Sequence, residues 1–300
     1  ALTPDEDLDP EYLFYALGYI GLWKFADTTS VPQINNKHIK PLLLQMPKLA
    51  EQRAIAAALS DIDALLSGLD RLIAKKRDLK QAAMQQLLTG KTRLPGFEGE
   101  WRLTRLSEIG STYGGLTGKS KTDFGAGSAR YVTFVNVMAN VIIDSGAFEP
   151  VRVAPTESQN RVICGDLLFN GSSETPEEVA LCSLVKENMS DLFLNSFCFG
   201  FRLRNEALAD GLFLAYYIRG SEGRDLMKSL AQGSTRYNLS KRALLEAEVK
   251  IPAKAEQSAI AAVIADMDAE LAALEARREK TRALKQGMMQ ELLTGRTRLV

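Results

Sequence analysis

The stretch "PKLAEQRAIAAALSDIDALLSGLDRLIAKKRDLKQAAMQQLLTGKTRL", residues 47–94, returns as "PAKAEQSAIAAVIADMDAELAALEARREKTRALKQGMMQELLTGRTRL", residues 252–299. The offset is 205 residues without a gap, and 27 of 48 positions are identical, too many for chance, so both copies take the same local structure. That structure reads as a long helix. No proline interrupts either copy after its first residue, and the strong helix formers Ala, Leu, Lys, Gln, Arg and Glu dominate. Gly90 and Gly295 stand where a helix C-terminus favours glycine. A helix over residues 50–88 reaches roughly 58 Å at ~1.5 Å per residue, and at that length it needs a partner for its apolar stripe.

The stripe has a heptad period. Ile55, Ile62 and Leu69 form one row. Leu65, Leu72 and Leu79 read as its companion, with Leu59, Leu66 and Ile73 widening the face. In the second copy Ile260, Met267, Leu274 and Met288 take the first row. Two such helices in one chain most simply pack antiparallel. The expected coiled-coil core is Ile55, Ile62, Leu69, Leu72, Ile260, Met267 and Leu274.

Working outward, "TRLPGFEGEW" is a linker broken by Pro95, Gly96 and Gly99. Residues 95–251 then read as one mixed domain. "RYVTFVNVMANVIID" is β-rich, and "GDLLFNGSS" is a short buried strand running into a polar loop. "NSFCFGFRLR" alternates, with Phe197, Phe199, Phe201 and Leu203 on one face. "ALADGLFLAYYIRGSEGRDLMKSLA" is helical, and "QGSTRYNLSKRALLEAEVKIP" gives a loop, a helix capped near Asn238 or Ser240, and a final strand. That tail aligns with "TTSVPQINNKHIKPLLLQMP" before the first long helix at the same 205-residue offset, and "EYLFYAL" resembles "LFLAYYI" at a slightly smaller one. Residues 1–46 therefore read as the last part of a second globular unit. The predicted class is α+β: mixed globular domain plus two long helices packed as an antiparallel coiled coil, divided 1–46, 47–94, 95–251 and 252–300.

Composition narrows the function. With 300 residues, 46% of them apolar, the chain can build real cores. No run of about 18 apolar residues predicts a membrane helix, and the acidic start does not read as a signal peptide. Three widely spaced cysteines and one histidine offer no zinc pattern, which points to reduced thiols, a cytoplasmic location, and neither metal nor cofactor. Net charge is zero, against a nonspecific polyanion binder. Charge is nonetheless local. Lys228, Arg236, Lys241 and Arg242 crowd one window without an acid, and residues 102–130 are also basic, whereas residues 174–191 are acidic.

"STYGGLTGKSK", residues 111–121, imitates a phosphate-binding P-loop. The motif needs a glycine separated by four residues from its Gly-Lys-Ser, and that position is Tyr113. The flanks are not a buried strand and an opening helix. A basic loop is the better reading.

At these residues the chain resembles the DNA-specificity subunit of type I restriction-modification systems. The carriers are the twin "AEQxAIAA…LLTG[KR]TRL" helices, "WRLTRLSEIGS", "GDLLF", "GSSETPEE" and "AQGSTRYNLS". The resemblance implies two target-recognition domains, each reading half of a split double-stranded DNA site. It also implies helices that act as spacer and dock the modification subunits, in a complex that includes restriction subunits. Catalysis would lie in those partners, so no catalytic residue is expected here. The departure is an incomplete first recognition domain, residues 1–46, which leaves open self-association that would assemble two complete readers.

Three loops are candidates for DNA contact, because phosphates and bases are met by Arg, Lys, Ser, Thr, Asn and Gln. They contribute Thr117, Lys119, Ser120 and Lys121; Ser172 and Ser173; and Gln232, Ser234, Thr235, Arg236 and Tyr237. The competing reading is a coiled-coil scaffold that binds only protein.

Overall fold

The computed structural model describes residues 4–27, 33–204 and 208–299. In chain order the elements begin with α1 (Pro10–Ile20), α2 (Asn36–Ile39), α3 (Leu49–Leu87), β1 (Arg102–Arg105), α4 (Leu106–Ile109), β2 (Gly110–Gly114), β3 (Phe124–Val132), α5 (Phe134–Ala139) and β4 (Glu149–Val151). They continue with β5 (Leu167–Asn170), β6 (Ser172–Ser173), β7 (Cys182–Leu184), β8 (Leu192–Leu194), β9 (Cys198–Leu203), α6 (Gly211–Arg219), α7 (Ser221–Leu230), β10 (Tyr237–Asn238), α8 (Lys241–Glu246), β11 (Glu248–Ile251) and α9 (Lys254–Leu293). The class is α+β, with two long helices. Two compact units form: residues 1–78 with 268–300, and residues 79–267. The division falls inside α3 and α9, not at their ends. Both helices stop at a glycine in the left-handed region, Gly90 at φ 69° and Gly295 at φ 70°.

In the first unit the two helices run antiparallel. Glu51 pairs with Arg298, Asp63 with Lys285 (2.6 Å), Asp70 with Arg278 (3.3 Å) and Lys76 with Glu270 (2.6 Å). Positions rise on one helix as they fall on the other. The buried seam of α3 is Gln52, Ile55, Leu59, Leu69 and Ile73, with Ile62 and Leu66 half-buried. Their steps alternate between three and four residues, the heptad signature. On α9, Leu271, Thr281 and Leu292 are buried, and Leu274 is half-buried.

One row of the expected core is corrected. Leu72 is 39% exposed, and Leu65 and Leu79 are exposed with it. From Ile62 or Leu69, a step of three turns to one flank of the helix and a step of four to the other. A single partner covers one flank. It covers the four-step side, so Leu59, Leu66 and Ile73 are the true companions.

Helix α1 is docked on this seam. Its Asp9 cap accepts from the backbone N–H groups of Glu11 and Tyr12 (both 3.0 Å), satisfying donors the helix start leaves free. Tyr12, Tyr15 and Ala16 pack with Ile55, Ala56, Leu59, Leu292 and Leu293. Tyr15 donates to Asp63 (2.9 Å), the carboxylate that also holds Lys285. The aligned residues Thr28 to Pro32 lie outside the described residues.

The second unit is built on a four-stranded antiparallel sheet, β2-β9-β5-β7, and a three-stranded sheet, β4-β3-β8, whose β3–β8 pair is parallel. Strands β1 and β11 pair at the unit's base, and β6 pairs with β10. The main core sets Phe169, Phe201 and Leu167 against Phe213, Tyr216 and Leu244. Leu87 and Leu88, with Ile260, Ala261 and Ile264 of α9, close the same core. Met267 is half-buried.

Two local expectations change. Only the start of "RYVTFVNVMANVIID" is strand; residues 134–139 are helix α5, because the Thr133 hydroxyl accepts the Asn136 N–H (3.2 Å) and caps it. Phe197 does not join Phe199 and Phe201 in the core. It precedes β9, on the turn closed by the Cys198 N–H donating to Asn195 O (3.0 Å), and is 60% exposed.

Candidate nucleic-acid interface

The polar loops predicted to meet DNA do not all reach solvent. Strand β6 pairs with β10 in the register Ser172↔Asn238 and Ser173↔Tyr237, so the second and third loops are one structure. The pairing buries Ser172 and Ser173, which corrects their assignment as DNA contacts. The Ser173 hydroxyl serves the loop itself: it donates to Glu178 and accepts the Thr175 N–H (both 3.3 Å). Above the pair, Gln232 and Asn238 exchange backbone hydrogen bonds of 2.9 and 2.8 Å and close a hairpin. Its tip exposes Ser234, Thr235 and Arg236, with Gln232 exposed at the base and Tyr237 half-buried. Gly233 at φ 120° makes the hairpin possible, since a Cβ there would lie 2.1 Å from Arg236 O.

A deeper layer fixes this platform. Asn170, fully buried, donates to the carbonyls of Ser172 (3.2 Å) and Glu178 (2.8 Å) and accepts the Leu181 N–H (2.6 Å). Arg224 donates to the carbonyls of Val179 and Ala180, where Ala180 holds a left-handed φ of 56°. Arg219 donates to the carbonyls of Val137 (2.7 Å), Asn140 (2.8 Å) and Cys182 (2.6 Å). Burial works against both charges and lowers both pKa values. Arg224 therefore satisfies carbonyls of the loop behind β6, and Arg219 those at the end of α5 and on β7; sequence reasoning had no signal for this, since neither arginine sits in a recognisable motif.

Three more segments meet the platform. The Gly171 N–H donates to Phe197 O (2.9 Å). Gly115 lies so close to the neighbouring turn that a Cβ would sit 2.1 Å from Asn195 O. Beside it, a Cβ on Gly114 would come 3.3 Å from Lys241 Nζ. The result is a surface of four backbone segments with few side chains, Gly114, the turn 195–197, Gly171 and the 232–238 hairpin, with Gly115 buried beneath the turn. From it project Arg236, Lys241 and Phe197. Among the described residues neither cation has an acidic partner, while the acidic run Glu174 to Glu178 borders the surface.

The loop at residues 117–121 is differently employed. Lys119 is corrected as a contact: its ammonium donates to Arg152 O and to Glu157 (both 2.7 Å), and its side chain is almost fully covered. Those contacts, with the Ala154 N–H and the Gln159 side chain, hold the Glu157 carboxyl at about 2. The Thr117 N–H donates to Gln159 Oε1 (3.1 Å) and Thr117 O accepts from Gln159 Nε2 (2.9 Å), and the Ser120 hydroxyl donates to Asp123 (2.8 Å). Of the four predicted residues, Lys121 is exposed without a partner among the described residues. After the Gly-Lys-Ser come three residues of 3-10 turn, not a helix, so the backbone geometry of a P-loop is missing.

The "GDLLF" motif has a structural task. The Asp166 carboxylate is fully buried. It accepts from Arg202 (2.8 and 2.7 Å), from the Tyr113 hydroxyl (2.6 Å) and from the Ile163 N–H (2.9 Å), tying β2 and β9 to the start of β5.

The family model described as "Type I restriction modification DNA specificity domain" matches residues 98–283. Two specificity subunits of Methanocaldococcus jannaschii are similar. That of the type I restriction enzyme MjaVIII is 22% identical over 97% of this chain and 71% of its own. The putative MjaX subunit is 23% identical over 99% and 71%. Among solved structures, the S subunit from M. genitalium superposes with a TM-score of 0.60 at 17% identity, covering 96% of this chain and 73% of that one. The HsdS subunit from Thermoanaerobacter tengcongensis gives 0.54 at 19%, covering 97% and 71%.

Proposed function

Since the chain belongs to the type I restriction-modification DNA specificity family, we propose that it is the DNA-reading subunit of such a complex, with residues 95–251 as a complete target-recognition domain and residues 1–46 as the end of another. The reading face is the surface around the 232–238 hairpin. Arg236 and Lys241 are its phosphate contacts; Gln232, Ser234 and Thr235 offer the polar groups that read base edges. Lys121 reaches the backbone from the side. The two long helices serve as spacer and as docking surface for modification subunits, and restriction subunits join that assembly. Methyl transfer and cleavage fall to those partners, and the chain itself is non-catalytic.

One observation carries this reading: the β6–β10 pairing joins separate loops into a single backbone platform, with cations at its rim that have no acidic partner among the described residues. Neutral net charge is compatible with it, because the phosphates are met locally and shared with partners.

The test is a fluorescence-anisotropy titration of duplex DNA by the chain assembled with its methyltransferase subunits, at several salt concentrations. Arg236→Ala with Lys241→Ala is expected to weaken binding about 10- to 100-fold and to flatten the log–log salt slope by about two. Unchanged affinity and slope would place the DNA face elsewhere.

A further inference from the structure

Phe197 sits where alternation would bury it, and it is 60% exposed instead. Among the described residues of its unit it is the only exposed phenylalanine, tyrosine or tryptophan. Its backbone is not loose. The Phe197 N–H donates to Asn195 Oδ1 (2.9 Å), its carbonyl accepts the Gly171 N–H (2.9 Å), and the Cys198 N–H closes the turn on Asn195 O (3.0 Å). Two glycines pack closely against this turn. A Cβ on Gly171 would come 3.1 Å from Phe197 O, and one on Gly115 would meet Asn195 O and the Leu194 carbonyl. The exposed ring thus belongs to a turn braced by two closely packed glycines, half-buried Gly171 and buried Gly115.

We propose that Phe197 is a specificity-determining residue that contacts the apolar surface of a base, either a thymine methyl or the face of an unstacked base. This rests on the reading of the surrounding surface as the DNA face. The chemistry fits the site. Phosphates and base edges are polar, and the apolar features of DNA are the thymine C5 methyl in the major groove and the faces exposed when a step is opened. A braced aromatic with two rotatable side-chain bonds loses little freedom on contact, so its apolar area acts as selectivity. Cations nearby hold the duplex, and the ring discriminates within it.

The experiment uses the chain assembled with its methyltransferase subunits. A preferred duplex is first selected from a pool of duplexes with randomised central positions. Single deoxyuridine replacements then remove one thymine methyl at a time, and 2-aminopurine replacements report unstacking by fluorescence. Phe197→Ala is compared with Phe197→Leu and with Arg236→Ala plus Lys241→Ala, folding being checked by circular dichroism. Phe197→Ala is expected to lower affinity for the selected duplex about tenfold while leaving affinity for unselected DNA and the salt slope unchanged; Phe197→Leu retains most of it. If a methyl is the target, one deoxyuridine duplex weakens wild-type binding several-fold and adds no loss to Phe197→Ala. If an open base face is the target, wild type brightens one 2-aminopurine and Phe197→Ala does not. A selected-to-unselected ratio unaffected by Phe197→Ala, with the cation variant still weakened, would overturn the inference and leave the DNA face standing. Both variants binding like wild type would remove the DNA face as well. Loss of subunit assembly with unchanged base preference would make Phe197 a protein contact and overturn the proposal.

Discussion

At the residue scale, the chain spends its charged groups chiefly on architecture. Asp166 is the clearest case, a fully covered carboxylate with four donors. Removing it strands Arg202 and Tyr113. Because Arg202 keeps some solvent contact, Asp166→Ala is expected to cost about 2–4 kcal/mol, discounted from the ~3–5 kcal/mol for breaking a fully buried pair, measured by urea unfolding. A loss under about 1 kcal/mol would mean the site is hydrated. Glu157 supplies a pH signature. Its folded pKa, about 2, lies below the ordinary value of 4.5, so its stabilisation is complete above 4.5 and fades as pH falls toward 2. Wild type is expected to unfold later than Glu157→Gln at neutral pH, and the gap to close between pH 4.5 and 2. A gap of constant size would exclude the Lys119 ion pair as its source. The identity of Lys119 was visible in the sequence, but its engagement was not. Arg152 O and Glu157, its two partners, come from a segment more than 30 residues away.

The element scale separates what periodicity decides from what a partner decides. The heptad rows of α3 were legible as a broad apolar face, since i, i+3 and i+4 neighbours share a side. Which flank is covered depends on the helix opposite and, around Leu59, on α1 as well. Leu59→Ala, at a fully buried seam position, is expected to cost about 2–4 kcal/mol, and Leu72→Ala, on the uncovered flank, less than about 1 kcal/mol. Equal costs in thermal or chemical unfolding would mean that Leu72 packs against something in solution. The β6–β10 pair carries the same lesson. Two residues on each strand are too few for an alternation signal, so "NGSS" read as an open loop, whereas long-range pairing made it a buried strand.

At the scale of the whole molecule, the internal repeat predicts equivalent joints, and each unit has one. In the first, Gln52 accepts the Asp9 N–H (2.8 Å) and donates to Asp7 O (3.0 Å) and Pro47 O (2.9 Å). In the second, Gln257 accepts the Asp210 N–H (2.9 Å) and donates to Leu208 O (2.9 Å) and Pro252 O (2.8 Å). Glu51–Arg298 and Glu256–Arg93 repeat in the same way. Both glutamines are buried, so alanine at either leaves backbone groups unpaired at about 1–3 kcal/mol each. Hydrogen exchange should rise within residues 1–46 for Gln52→Ala and within residues 95–251 for Gln257→Ala. Exchange rising equally throughout for either variant would show that the joints are not separate.

The sequence alone determined the duplication, the two long helices with their glycine stops, the mixed character of residues 95–251 and the family resemblance, because these rest on local composition, on period and on identity between copies. Tertiary structure decided which leucines the helix partner covers, which serines and lysines the loops consume, and that Phe197 stands in solvent. Those outcomes depend on contacts between residues far apart in the chain, where neither period nor propensity carries information.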